Sequence, residues 1–432
     1  MRHTHVSRIV AVVALLAVIG TACGSNSSSS KATTTTGPSY NTLKVPADYP
    51  TIQKAVDAAK PGDLVLISPG VYKEGVVVQT KDLVIRGTDR NKVILDGEFK
   101  NENGFKIVSN GVAVENLTAR NYTDNGVFWT GDYDSQFVLN GYRASYVTAH
   151  NNGDYGIYAF NATNGQFDHD YGSGNVDSAF YVGQCNPCKA LLIDDTAENN
   201  QLGYSGTNSS GVVVARSTWR HNSIGVVPNS EDGEKLGPNT GTIIVGNLVY
   251  DNNNADVPGN NNDFRLGHGT GIILTGTTKN QVIRNTVVNN KRAGIVILPW
   301  VFSGKQYQPI DNVVKDNYVH GATQAADLGL VFVDSAKGTQ GNCFASNNFD
   351  TSVPKNIETV APCGKPGQTG FEGPTLSDFT PGPPYKSYKT IKPPVYNFEN
   401  MPNAATAPPV PAHGPFTVNV DSIKAPDPSE AK

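Results

Sequence analysis

The chain has 432 residues, with 44 Gly, 27 Pro, only 2 Met and 17% charged side chains. High Gly and Asn with almost no long amphipathic stretch exclude a helical bundle or a doubly wound α/β domain. A formal net charge of −4 lacks the basic surplus expected of a nucleic-acid binder.

At the N-terminus, Arg2 and Arg8 precede an uncharged run from Ile9 to Gly20 and the small-residue sequence Thr21-Ala22-Cys23-Gly24. A charged start, a short apolar stretch and a cleavage site make an export signal, and the run is too short to span a bilayer as a helix. The segment resembles a bacterial lipoprotein signal, which implies lipidation of Cys23 and a membrane anchor on the outer face. Plain secretion after cleavage behind Ala22 is the alternative. Residues 1–22 are therefore expected to be signal peptide, and the Ser/Thr-rich residues 23–43 a flexible tether.

Thr51 to Ala59 supplies the one convincing helix. Pro50 precedes it, Ile52, Ala55, Val56 and Ala59 share a face, and Pro61-Gly62 stops it. Beyond it the chain repeats. Asn116-Leu117-Thr118-Ala119-Arg120-Asn121 is similar to Tyr146 to Asn151 and Asp194 to Asn199, with further copies led by residues 170, 217, 247, 285, 317 and 347. A base period near 23 residues with insertions fits one coil of a solenoid per repeat. Short alternating strands open on Gly126, Gly156, Gly271, Gly294 and Gly329. Three such strands per coil give an all-β, single-stranded right-handed parallel β-helix over residues 44–363, with the helix as its N-terminal cap. Recurrent Asn suits left-handed turns and amide stacking from coil to coil.

Setting Cys23 aside leaves Cys185, Cys188, Cys343 and Cys363, an even number that an oxidising compartment could pair. Cys185-Asn186-Pro187-Cys188 reads as a local staple rather than a redox or zinc motif, because no second C-x-x-C accompanies it. From residue 364 to 432 prolines crowd, which excludes further coils and predicts an extended, partly disordered tail.

Ala47 to Ala59, followed by Gly62-Asp63 and Pro69-Gly70-Val71-Tyr72-Lys73-Glu74, resembles the opening of many right-handed parallel β-helix proteins. These include pectin methylesterases, pectate lyase-like proteins and the carbohydrate-binding and sugar-hydrolase superfamily, with its NosD-type and mannuronan epimerase branches. The resemblance implies export and a polysaccharide partner. The downstream esterase motifs are missing, the nearest text to an epimerase D-P-H motif is Phe167-Asp168-His169-Asp170, and the scattered His residues do not suit copper. No metal is predicted and no cofactor; calcium stays open, although no motif for it stands in the sequence.

Candidate site residues follow from two places. Asp168 and His169 could pair a carboxylate with a general base, although Asp170 falls in the turn stack. The Gly-initiated strand is where the superfamily places its substrate groove. Residues two after each Gly should point outward, giving the column Phe128, Tyr158, Phe180, Ser205, Val227, Ile273, Val296 and Val331. Phe128, Tyr158 and Phe180 could carry sugar rings, with Trp300 as a further platform. Loops 229–240 and 253–269 would rim this groove, with Glu231 or Asp232 as acid, His268 or Lys235 as base and Arg265 clamping a carboxylate. The expectation is a protein that engages a polysaccharide, either binding or modifying it, with a lyase or epimerase acting on an acidic glycan as the best enzymatic version. The alternative is a non-catalytic rod displaying loops to a partner.

Overall fold

The computed structural model describes residues 40–300, 304–331, 337–371, 373 and 380–432. The signal and most of the tether, including Cys23, lie outside the described residues. No helix among the described residues is long and apolar enough to cross a membrane.

Short strands stack into three parallel sheets. Sheet A has twelve strands and runs from Thr42–Val45 to Cys343–Ala345. Sheet B has eleven, from Gly70–Tyr72 to Asn348–Phe349, and sheet C eleven, from Val76–Val78 to Ser352–Val353. Each coil visits A, B and C in turn and pairs in register with the next, as at Val127↔Ile157↔Phe180. Alternation sends every second side chain inward, so Trp129, Tyr142, Phe167, Phe180, Tyr204 and Trp219 fill the lumen.

The cap helix is Ile52–Ala58. Thr51 accepts from the Lys54 N–H, and the Glu74 carboxylate takes the Ile52 and Gln53 N–H groups at 3.0 and 3.1 Å. Glu74, part of the shared opening sequence, thus satisfies the helix N-terminus and complements its positive end. Ile52 and Ala55 are fully buried over the first coil.

Buried Asn ladders hold the corners. Asn152, Asn175, Asn200, Asn222, Asn252 and Asn290 form one run, each taking the backbone N–H of the residue one coil back. A second run passes through Asp170, Asp195, Ser217, Asn247, Asn285, Asn317 and Asn347, ending on Glu358. The sequence alignment slips by one here. Asn116, Tyr146 and Asp194 occupy the preceding, left-handed position with φ of 55°, 55° and 60°, where His169 and Arg284 also sit. His150 is 5% exposed, and burial pushes its imidazole pKa down to about 4.

Cysteines pair locally, Cys185 with Cys188 and Cys343 with Cys363, as an oxidising compartment allows.

The tail adds no coil, yet it is anchored along the solenoid rather than loose. Phe416, Val418, Val420 and Ile423 cover the apolar outer face of sheet A at Leu191, Ile193, Val245 and Ile283. A proline-rich strand has few N–H groups but a full set of carbonyls needing donors. Arginines, which only donate, meet that need. Arg86 binds the carbonyls of Ala407 and Pro408, Arg143 that of Val410, Arg284 those of Val420 and Ile423, and Arg292 that of Thr380. Beneath this strap Arg86 and Glu115 form a buried ion pair at 2.6 Å, which Arg143 joins.

Candidate functional site

Sheet C carries the outward column anticipated from its glycines, with two corrections. Register places Phe128, Tyr158, Tyr181, Ser205 and Val227 in one line. Phe180 points into the lumen and is fully buried. The opening position of that coil is Ala179 rather than a glycine, so counting from Ser178 shifted the phase by one. Val331 lies two residues past the column: the opener of its coil is Asp327, and Gly329 is the residue aligned with Val296.

Phe128 and Tyr158 are half-buried and stack at 4.4 Å with planes 11° apart. Tyr155 and Tyr181 close around Tyr158 at 4.5 and 4.9 Å. Beside them opens a polar cleft of about 560 Å³, lined by Tyr155, Asp177, Tyr181, Glu231, Glu234 and Asp263 among others. Loop 229–240 was foreseen as its rim and supplies Glu231 and Glu234; the 3₁₀ turn Asn262–Gly267 supplies Asp263 and Phe264.

Glu231, Glu234 and Asp177 in this lining hold their protons unusually well. Burial, then the nearby Glu231, pushes Glu234 up to about 7, while the Tyr181 hydroxyl donates to Glu234 Oε2 at 3.3 Å. Burial and the neighbouring Asp124 push Asp154 to about 7, and Asp177 rises well above the usual range through burial and Asp154. Asp124, Asp154 and Asp177 take the same place in successive coils, linked backbone to backbone at 2.8 and 3.0 Å. Like charges stacked at coil spacing favour the neutral acid.

Other sequence candidates fall elsewhere. Arg265 donates Nε and Nη2 to the Gly382 carbonyl at 3.0 and 2.7 Å. His268 lies under that same tail residue, its Nδ1 2.9 Å from Ser223 Oγ. Both therefore clamp the strap, whose path no sequence period foretold. Asp232 is exposed and accepts from the Lys305 N–H at 2.8 Å. Lys235 lies over the Tyr133 ring, 4.4 Å from its centroid. Trp300 is buried against Phe264, lining a narrow apolar cavity above Val227, Ile273 and Val296, so it offers no open platform.

Asp168 and His169 sit at the corner between sheets A and B. Asp168 accepts from Ser145 Oγ at 2.8 Å, and His169 stacks on Tyr146 at 4.6 Å. His169 borders a separate cavity of about 330 Å³ beneath tail residues Tyr396 to Glu399. The hydrogen bond from His169 to Asp168 raises its pKa.

Among the described residues, His320, Asp327 and Asp350 are the group spaced to share a cation. His320 already meets Asp350 at 2.9 Å and Asn348 at 3.0 Å, and Asp327 Oδ2 accepts from Thr351 N and Oγ1. Those bonds make the group a tie across the last coils.

Tyr155, Tyr181, Asp154 and Asp177 were missed in the sequence. Their signal was present: Asp124-Asn125-Gly126, Asp154-Tyr155-Gly156 and Asp177-Ser178-Ala179 repeat the same step before three successive sheet C strands.

No family model matches the chain, and no curated protein matches it in sequence. Solved structures similar to it include the A-module of the Azotobacter vinelandii mannuronan C-5 epimerase AlgE4, at 13% identity and TM-score 0.49, over 72% of this chain and 95% of that one. The Dettilon tailspike protein matches at 13% identity and TM-score 0.49, over 71% of this chain and 67% of that one. A mannuronic acid-specific family 6 lyase from human gut microbiota matches at 12% identity and TM-score 0.44, over 71% and 87%. At such identities the likeness extends to fold alone, and the three stacked parallel sheets make this chain a parallel β-helix protein.

Proposed function

We propose that the protein binds a polysaccharide along the outer face of sheet C and cleaves it by acid–base catalysis in the adjoining cleft. The observation that carries this is the stacked Phe128–Tyr158 platform beside Glu234, a carboxyl held near 7 and hydrogen-bonded by Tyr181. Flat aromatic faces suit the apolar faces of pyranose rings. An acid still protonated near neutrality can protonate a glycosidic oxygen as its bond breaks, while a second carboxylate, Asp263 across the cleft, activates water.

Elimination or epimerisation at a uronate requires its carboxyl group to be neutralised so that the carbanion can form. Among the described residues the cleft lining contains no Lys, Arg or His, which favours hydrolysis over the lyase or epimerase reading. Export and a lipid anchor on Cys23 belong to the same proposal: the N-terminal sequence and the disulfides are their support. Proton NMR of a polysaccharide panel incubated with the protein tests the reading. New reducing-end signals, lost in Glu234→Gln, are expected. Unsaturated or inverted sugar signals would replace hydrolysis with the lyase or epimerase chemistry. Silence with every glycan, together with unchanged spectra of Phe128→Ala, would leave the rod as a display scaffold.

A further inference from the structure

The charge of the cleft names a class of glycan. Asp177, Glu231, Glu234 and Asp263 line it, Asp154 and Asp124 continue the line along the axis, and the lining holds no cationic side chain. Three of these carboxylates repeat once per coil, about 4.8 Å apart. A β-linked pyranose chain laid along the solenoid axis advances by a similar distance per sugar. The aromatic column runs in that same direction, Phe128 to Tyr158 to Tyr181, one ring per coil.

We infer that the cleft takes a cationic, amino-sugar polysaccharide whose chain runs along the axis and sets one ammonium group against one carboxylate per coil. A neutral glycan would leave the acids unpaired, and a uronate chain would place like charges against them. This inference rests on the proposed glycan site and adds its charge selection. Asp154, outside the proton-donating role given to Glu234, supplies a chemical readout. It holds its proton near neutrality because burial and the neighbouring Asp124 disfavour its charge. An ammonium brought alongside favours the ionised form, so binding should expel protons into the buffer.

The test is calorimetric titration of the full chain with hexamers of glucosamine, N-acetylglucosamine and galacturonate, at mildly acidic pH and at two salt concentrations. The glucosamine hexamer should bind about tenfold or more tighter than its N-acetylated counterpart, with the advantage shrinking in high salt. Repeating the titration in buffers of different ionisation heat should show proton release for the glucosamine hexamer alone. Asp154→Asn/Asp177→Asn should narrow the preference about tenfold. Equal binding of the two hexosamine chains, or tighter binding of galacturonate, overturns the charge inference and leaves the glycan site standing. Undiminished glucosamine binding in the double variant also overturns it, by placing the polycation elsewhere on this acidic protein. If none of the hexamers binds, and Phe128→Ala is as inert as the parent, the glycan site itself falls.

Discussion

Replacing Asp195 by Asn should stabilise the protein at neutral pH. Asp170 and Asp195 occupy ladder positions that later coils fill with Asn247, Asn285, Asn317 and Asn347. An Asn there accepts with its oxygen and donates with its nitrogen; an ionised Asp can only accept. Each aspartate does receive a backbone N–H, from Val147 at 2.6 Å and from Asp170 at 2.9 Å, but the second oxygen of each is buried without a partner. Burial raises both acids well above the usual range, with Asp168 adding to the rise at Asp170 and Asp170 to the rise at Asp195, while the Arg90 guanidinium favours charge on Asp170. The pair is thus best served by one proton, on Asp195, and one charge, on Asp170 facing Arg90. An orphaned buried polar atom costs about 1–3 kcal/mol, so Asp195→Asn should gain about 1–2 kcal/mol at pH near 8. The sign with pH follows from the raised folded pKa. The wild-type penalty is present above that value and vanishes as pH falls toward the unfolded carboxylate range. Thermal melts followed by circular dichroism should therefore show the Tm advantage at pH near 8 and its disappearance near pH 4. The double variant Asp170→Asn/Asp195→Asn should lose part of the gain, because Arg90 is then buried without a counter-charge. A lower Tm for Asp195→Asn at pH 8 than at pH 4, each relative to wild type, would refute the shared-proton account.

Three further outcomes are expected. Phe128→Ala and Tyr158→Ala should each weaken glycan binding by about 0.5–1.5 kcal/mol beyond lost contact area, read by titration, with little change in Tm since both rings face outward. If Glu234 is the proton donor, kcat/KM should fall as pH rises through about 7, the pH at which it ionises, and the Glu234→Gln variant should lose that limb entirely. Arg284→Ala removes donors to the Val420 and Ile423 carbonyls; at about 1.5–3 kcal/mol for a charged donor, protease cleavage within residues 416–425 should accelerate about tenfold or more while the solenoid core melts nearly unchanged.

The fold was legible because a solenoid writes its geometry into sequence at every coil. Asn at corners, Gly before sheet C and the cap residues Thr51 to Ala59 each follow from a local backbone need. Phase was harder to read. Where Ala179 or Asp327 replaces the opening glycine, the punctuation disappears, and Phe180 and Val331 were misplaced by the amount that a missing marker allows. The cleft was half legible. Its rim loop 229–240 stood out as an insertion and gave Glu231 as a candidate acid, but the rest of the polar set was assigned to Asp232, Lys235, Arg265 and His268, the conspicuous charges, rather than to the aspartates stacked one per coil. Arg265 and His268 answer to the tail, and contacts between residues over a hundred positions apart leave no period to find.

That tail changes how the rod should come apart. Coils that touch only their neighbours tend to fray from the ends, each opening almost independently. Here one extended segment is fastened at Arg86, Arg143 and Arg284, and its last carbonyl accepts from the Tyr250 hydroxyl at 3.1 Å. It binds early coils to late ones, so their openings are no longer separate events. A chain built like a stack of coins thereby gains the all-or-none melting of a globular domain.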